Sequence, residues 1–90
     1  MRHGLDAPRL VDLFGWSEPQ FRARMRGSAI HRLGYERWLR NIAVALGNAP
    51  TDALVVAALE ARRLDPSALV REHVQWALMR HGAAAGSAGP

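Results

Sequence analysis

Ninety residues with a formal net charge of +4, twelve arginines and neither lysine nor cysteine suffice for one small domain and leave no room for a second. Without cysteine the chain can form no disulfide, offers no thiolate nucleophile and gives no thiolate ligand to an iron-sulfur cluster. No uninterrupted apolar run approaches the roughly 20 residues a membrane helix needs, and no charged segment precedes an apolar signal core, so a cytoplasmic chain with no membrane partner is expected.

In chain order, Asp6, Ala7 and Pro8 form an N-cap followed by a proline tolerated in a first helical turn. Leu10, Val11, Leu13 and Phe14 then recur at helical spacing before Gly15, which predicts a short first helix. Ser17 and Gln20 make a capping-box pair ahead of a second helix that closes at Gly27, with Phe21 and Met25 one turn apart and facing the core. Ser28 caps a turn of helix through Leu33, and Gly34 separates it from the main helix, Tyr35 to about Gly47. On that helix Trp38, Ile42, Ala45 and Leu46, broadened by Leu39 and Ala43, form an apolar face; Arg37, Arg40, Asn41 and Asn48 form the opposite stripe.

Asn48, Ala49 and Pro50 stop the main helix, and Thr51 or Asp52 caps the next, whose predicted inward face is Leu54, Val55, Ala58 and Leu59, up to Arg63. Asp65 before Pro66 repeats the cap-then-proline signal of Asp6, and a last helix to about His81 turns Leu69, Val70, Val74, Ala77 and Leu78 inward. Gly82 ends it. Residues 83–90 contain only alanine, glycine, serine and proline and are expected to be a disordered tail. Period-two alternation never persists, so the class is all-α. A displacement of about 32 residues aligns Trp38, Ile42, Ala45 and Leu46 with Val70, Val74, Ala77 and Leu78, near the lower end for two-helix solenoid units. The phrase from Asp65 to Arg71, followed by Val74, Ala77 and Leu78, resembles the second helix of a HEAT repeat. The expected architecture is a short HEAT-like helical-repeat stack of about five helices spanning residues 4–82.

The chemistry-bearing residues are sparse. His3, His31, His73 and His81 do not share a helix turn at metal-ligand spacing, and His73, at the edge of an apolar face, reads as a half-buried histidine with one satisfied nitrogen. Ser17 and Ser28 read as caps, Gly27, Gly34 and Gly47 lack phosphate-loop spacing, and Trp16, Trp38 and Trp76 read as core or interface anchors ahead of base-stacking platforms. The positive signal is charge. From Phe21 to Arg40 stand six arginines, Arg22, Arg24, Arg26, Arg32, Arg37 and Arg40, against one acid, Glu36. That excess suits an anionic partner, with a merely solvated helix surface as the competing reading. Arginine forks onto phosphate, although the complete lack of lysine reads as a codon bias.

Three stretches carry a resemblance: Leu13-Phe14-Gly15-Trp16-Ser17-Glu18, Gly27-Ser28-Ala29-Ile30, and the run from Trp38 to Pro50. With the block from Asp65 to Val74 they resemble the C-terminal region of the epoxyqueuosine reductases, over about residues 4–82. The resemblance implies an oxidoreductase family of queuosine biosynthesis that reduces epoxyqueuosine at the wobble position of transfer RNA. It also implies cobalamin and two 4Fe-4S clusters in parts that would lie upstream of Met1, and a helical domain that helps hold the anticodon stem-loop. At His31 the family pattern would have arginine, which puts one inferred phosphate contact in doubt.

On this reading the chain is a transfer-RNA-binding accessory domain, inactive by itself and carrying no cofactor of its own. It contacts the stem-loop through Arg32, Arg37, Arg40, Asn41 and Asn48 and partners the catalytic part of the enzyme. The alternative is a HEAT-like protein-interaction module with solvated arginines. For the stripe itself, the competing assignment pairs Glu36 with Arg40 at i, i+4 and gives Asn41 and Asn48 packing and C-cap roles.

Overall fold

The apolar face of the main helix decides the arrangement. The computed structural model describes residues 7–82, which form six helices: α1 (Ala7–Phe14), α2 (Glu18–Met25), α3 (Ala29–Leu33), α4 (Tyr35–Gly47), α5 (Ala53–Ala61) and α6 (Ala68–Arg80). Among the described residues there is no strand. The sixth element relative to the sequence expectation is α3, the single turn after Ser28. The Asp6 cap and the tail at 83–90 lie outside the described residues.

Helix α4 buries Trp38, Leu39, Ile42, Ala43 and Leu46 along one side. Against that side lies α6 with Val70, Val74, Ala77 and Leu78 buried, so the positions related by about 32 residues meet in one core. Gly47 permits the approach: a Cβ there would fall 2.5 Å from Cζ3 of Trp76 and 3.0 Å from Cβ of Ala77. Helix α1 closes another flank by inserting Leu10 and Phe14 against α4 and α5, while α5 supplies Val55 and Leu59. Helix α2 commits less to the core, burying Phe21 and packing half-buried Met25 against it, and presents Glu18, Arg22 and Arg24 at the surface. An aromatic group knits this end together: the Phe21 ring lies 5.3 Å from Trp38 and 5.7 Å from Tyr35, and Trp16 stacks on Trp38 at 5.7 Å.

Local signals explain the boundaries. The Ser17 hydroxyl accepts from Gln20 N and the Gln20 side chain accepts from Ser17 N at 2.9 Å, completing the capping box before α2. Ser28 caps α3 by accepting from His31 N. Gly34, at φ 96° and ψ 152°, makes the corner between α3 and α4 in a conformation that side-chain-bearing residues avoid.

Two local expectations change, and one left open is resolved. Ser67, not Asp65, is the N-cap of α6: its hydroxyl accepts from Val70 N, while the Asp65 carboxylate accepts from Ser67 N and pairs with Arg62. Asp65 is drawn away by the guanidinium, and the serine two residues later takes the capping position. Asp52 rather than Thr51 caps α5, accepting from Leu54 N at 2.7 Å. Leu54 does not face inward and is 60% exposed, because the covered arc of α5 is narrow and is filled by Val55 and Leu59, one turn apart.

Candidate nucleic-acid interface

Several of the described arginines are engaged within the chain, and three of them, Arg62, Arg71 and Arg80, bond to backbone carbonyls. Arg62 is the extreme case: Nε donates to Phe14 O at 2.6 Å, Nη2 donates to Trp16 O at 2.8 Å and to Tyr35 Oη at 3.0 Å, and Nη1 pairs with Asp65 at 3.0 Å. Its side chain is 17% exposed and that of Asp65 9%, so this ion pair is largely withdrawn from water. Arg71 donates to the carbonyls of Asp65 and Pro66, and Arg80 donates to Gly47 O. Arg22 pairs with Glu18 and Arg63 with Glu60, both at the exposed surface. Arg24 lies over the Trp16 ring at 5.1 Å.

Subtracting these localises the surplus charge. Arg26, Arg32 and Arg37 have no hydrogen-bond, ion-pair or ring partner among the described residues, and all three are exposed. They fall in one short segment, Arg26 capping α2, Arg32 in α3 and Arg37 in the first turn of α4. Exposed guanidinium groups from one short segment, with only Glu36 among them and that carboxylate engaged by Ser67, are an arrangement that attracts an anion. Arg26 was within the sequence excess yet outside the candidate set; only the accounting of partners singles it out.

The stripe on α4 has a second part. Arg37, exposed Asn41 and exposed Asn48 lie on the side away from the buried Trp38–Leu46 face, with half-buried Arg40 and Val44 along one margin. From Arg37 to Asn48 it runs about 16 Å along the axis at 1.5 Å per residue. Within it Arg40 Nε donates to Asn41 Oδ1 at 2.8 Å, so the pairing with Glu36 does not form; Glu36 instead accepts from the Ser67 hydroxyl. Asn48 is the C-cap of α4, its backbone N–H returning to the carbonyls of Val44 and Ala45. The five expected residues therefore divide: Arg32 and Arg37 stand free at the basic end, Arg40 and Asn41 are coupled to each other, and Asn48 closes the far end.

The described histidines, His31, His73 and His81, are used structurally. His73 Nδ1 hydrogen-bonds Leu69 O at 2.8 Å, and the His81 ring bridges Thr51 Oγ1 at 2.8 Å and Leu46 O at 2.7 Å. His31 stacks on Phe21 with ring centroids 6.2 Å apart. Among the described residues no three His, Cys, Asp or Glu side chains gather to hold a metal ion, and without cysteine the chain does not fit the thiolate ligand set of a 4Fe-4S cluster. No helix of the described residues is long and apolar enough to cross a membrane.

The molecule described so far is a small all-helical stack with a basic edge built from α2, α3 and the start of α4. It is 62% identical over 81 residues to the epoxyqueuosine reductase of Pseudomonas aeruginosa, 62% identical over 81 residues to that of Xanthomonas campestris, and 53% identical over 77 residues to that of Escherichia coli. These matches cover 90%, 90% and 86% of this chain but only 22%, 23% and 20% of the relatives. The chain is thus a homologue of the epoxyqueuosine reductases, enzymes of queuosine biosynthesis, and spans about a fifth of their length. No family model matches it, and no solved structure does.

Proposed function

We propose that this chain is the HEAT-like, transfer-RNA-binding part of an epoxyqueuosine reductase, holding the anticodon stem-loop while the reduction is carried out on cofactors bound elsewhere. The observation that carries the reading is the set of unpartnered guanidiniums, Arg26, Arg32 and Arg37, continuous with the Arg40–Asn41 stripe, in a homologue of enzymes named for a modified nucleoside. Arginine forks onto phosphate oxygens and asparagine donates to phosphate or sugar. Such contacts orient a stem-loop without reading its sequence, which leaves recognition of the modified base to the catalytic part.

The test replaces Arg32, Arg37 and Arg40 by alanine singly and measures anticodon stem-loop binding across a salt series beside thermal melting. Each lost phosphate contact is expected to reduce the salt slope by about 0.7 to 0.9. Melting temperature should stay within a few degrees for Arg32→Ala and Arg37→Ala, which have no internal partner to lose. Unchanged slopes with reduced melting temperatures would assign these arginines to the fold. A second reading, docking on another polypeptide, draws on Leu64 at 80% and Met79 at 59% exposure; it predicts no stem-loop binding at any salt concentration.

A further inference from the structure

Beside the polar stripe stands an aromatic side chain that the core does not use. Trp76 on α6 is 39% exposed, whereas Trp38 is 8% exposed. With Val70, Val74, Ala77 and Leu78 claimed by the core, the helical period turns position 76 outward. The ring is nevertheless held in place. Its Cζ3 abuts Gly47, and the Arg80 guanidinium lies 5.3 Å from the ring centroid while its Nε donates to Gly47 O at 3.1 Å. A tryptophan fixed at its edge and backed by a cation is a flat, pre-ordered surface.

Trp76 lines a shallow hollow of about 400 Å³ with Val44, Glu72 and His73. Val44 sits on α4 one turn from Arg40 and between Asn41 and Asn48, so the hollow opens directly beside the stripe. Its chemistry is apolar with two acceptors. His73 Nδ1 is engaged with the Leu69 carbonyl, which places the proton on Nδ1 in the neutral ring and leaves Nε2 as an acceptor. The Glu72 carboxylate has no partner among the described residues. With Arg40 on the α4 side, Glu72 on the α6 side and Arg80 lying against the Trp76 ring, the hollow has a polarity across it: a phosphate belongs beside Arg40 and a donor-bearing ring edge beside Glu72.

We propose that Trp76 is a stacking platform for one unpaired RNA base bearing an exocyclic amino group, whose sugar and phosphate run along Arg40, Asn41 and Asn48 while Glu72 and His73 Nε2 accept from the base edge. The inference rests on the RNA-binding reading and adds to it a preference for an unpaired loop over a plain duplex. Aromatic stacking on a base is sequence-tolerant, and the acceptors add only a bias toward amino-bearing bases.

The experiment uses the 90-residue chain and two RNA hairpins of identical stem, one with an ordinary loop and one with the loop bases removed. Trp76→Leu is expected to weaken the ordinary hairpin about five- to a hundredfold and to leave the abasic hairpin unchanged. The ordinary hairpin should also quench tryptophan emission in the parent chain, the abasic one should not, and Trp76→Phe, which keeps an aromatic plane against Gly47, should remove the quench while retaining most of the affinity. Equal weakening of both hairpins by Trp76→Leu, or a quench that survives in Trp76→Phe, would overturn the platform. If Arg37→Ala weakens both hairpins while Trp76→Leu alters neither, stacking falls and the RNA reading stands. If the parent chain binds neither hairpin, both fall.

Discussion

At the scale of single residues, Arg62 shows why an arginine count misleads as a map of a binding surface. The side chain reaches from the end of α5 to two carbonyls in the α1–α2 turn, 48 and 46 positions earlier in sequence, and to the Tyr35 hydroxyl at the start of α4. Nothing local to Arg62 announces these partners, so its role was not legible in the sequence; the arginine excess from Phe21 to Arg40 was, because it needed only a shortage of nearby acids, whereas which of those arginines lack partners was not. Removing one member of a withdrawn ion pair leaves the other without compensation, and breaking such a pair costs about 3–5 kcal/mol. Arg62→Ala is expected to lose that much in chemical denaturation, a large share of the stability of so small a domain. Arg62→Lys should recover less than half, since an ammonium cannot span the Phe14 and Trp16 carbonyls and the Asp65 carboxylate as the planar fork does. Full recovery by lysine would show that charge alone matters there.

The elements were legible where one local rule acted alone. Gly34 and Gly47 bound the main helix, and the Ser17–Gln20 capping box opens α2, because backbone conformation and caps are decided within four residues. They were misread where two rules competed, as at Asp65, which Arg62 captures so that Ser67 takes the cap. The close seat of α6 on α4 is likewise invisible in the chain, since Gly47 looks like punctuation and is also a contact surface. Gly47→Ala would gain about 1 kcal/mol of helix propensity, but its methyl must share space with the Trp76 ring and with Ala77, whose Cα would be 3.1 Å away. That α6 backbone contact cannot yield by rotation, so overpacking of about 1–3 kcal/mol should win and the variant should melt at lower temperature. Displacement of Trp76 should shift its emission to the red. A more stable Gly47→Ala would mean that α6 is free to move outward.

For the whole molecule, composition bears on the proposed division of work between this chain and the rest of its homologues' length. A reductase must deliver electrons to its substrate, and the cofactors expected of this family, cobalamin and two 4Fe-4S clusters, need thiolate ligands and a corrin pocket. This chain has no cysteine, and its described surface offers a basic edge and a shallow groove. The proposed division gives it the RNA and gives the catalytic part the chemistry. The purified chain is accordingly expected to be colourless and helical, with the double minimum of α-helix in its far-ultraviolet spectrum, and to leave epoxyqueuosine-containing RNA unreduced even with a chemical reductant supplied. Added to the catalytic part of a homologous reductase in excess, it should compete for the stem-loop and slow turnover, and Arg37→Ala should compete less well at the same concentration. Visible absorbance that persists through purification, or turnover by the chain without added catalytic part, would place redox chemistry in this stack of helices and overturn the division.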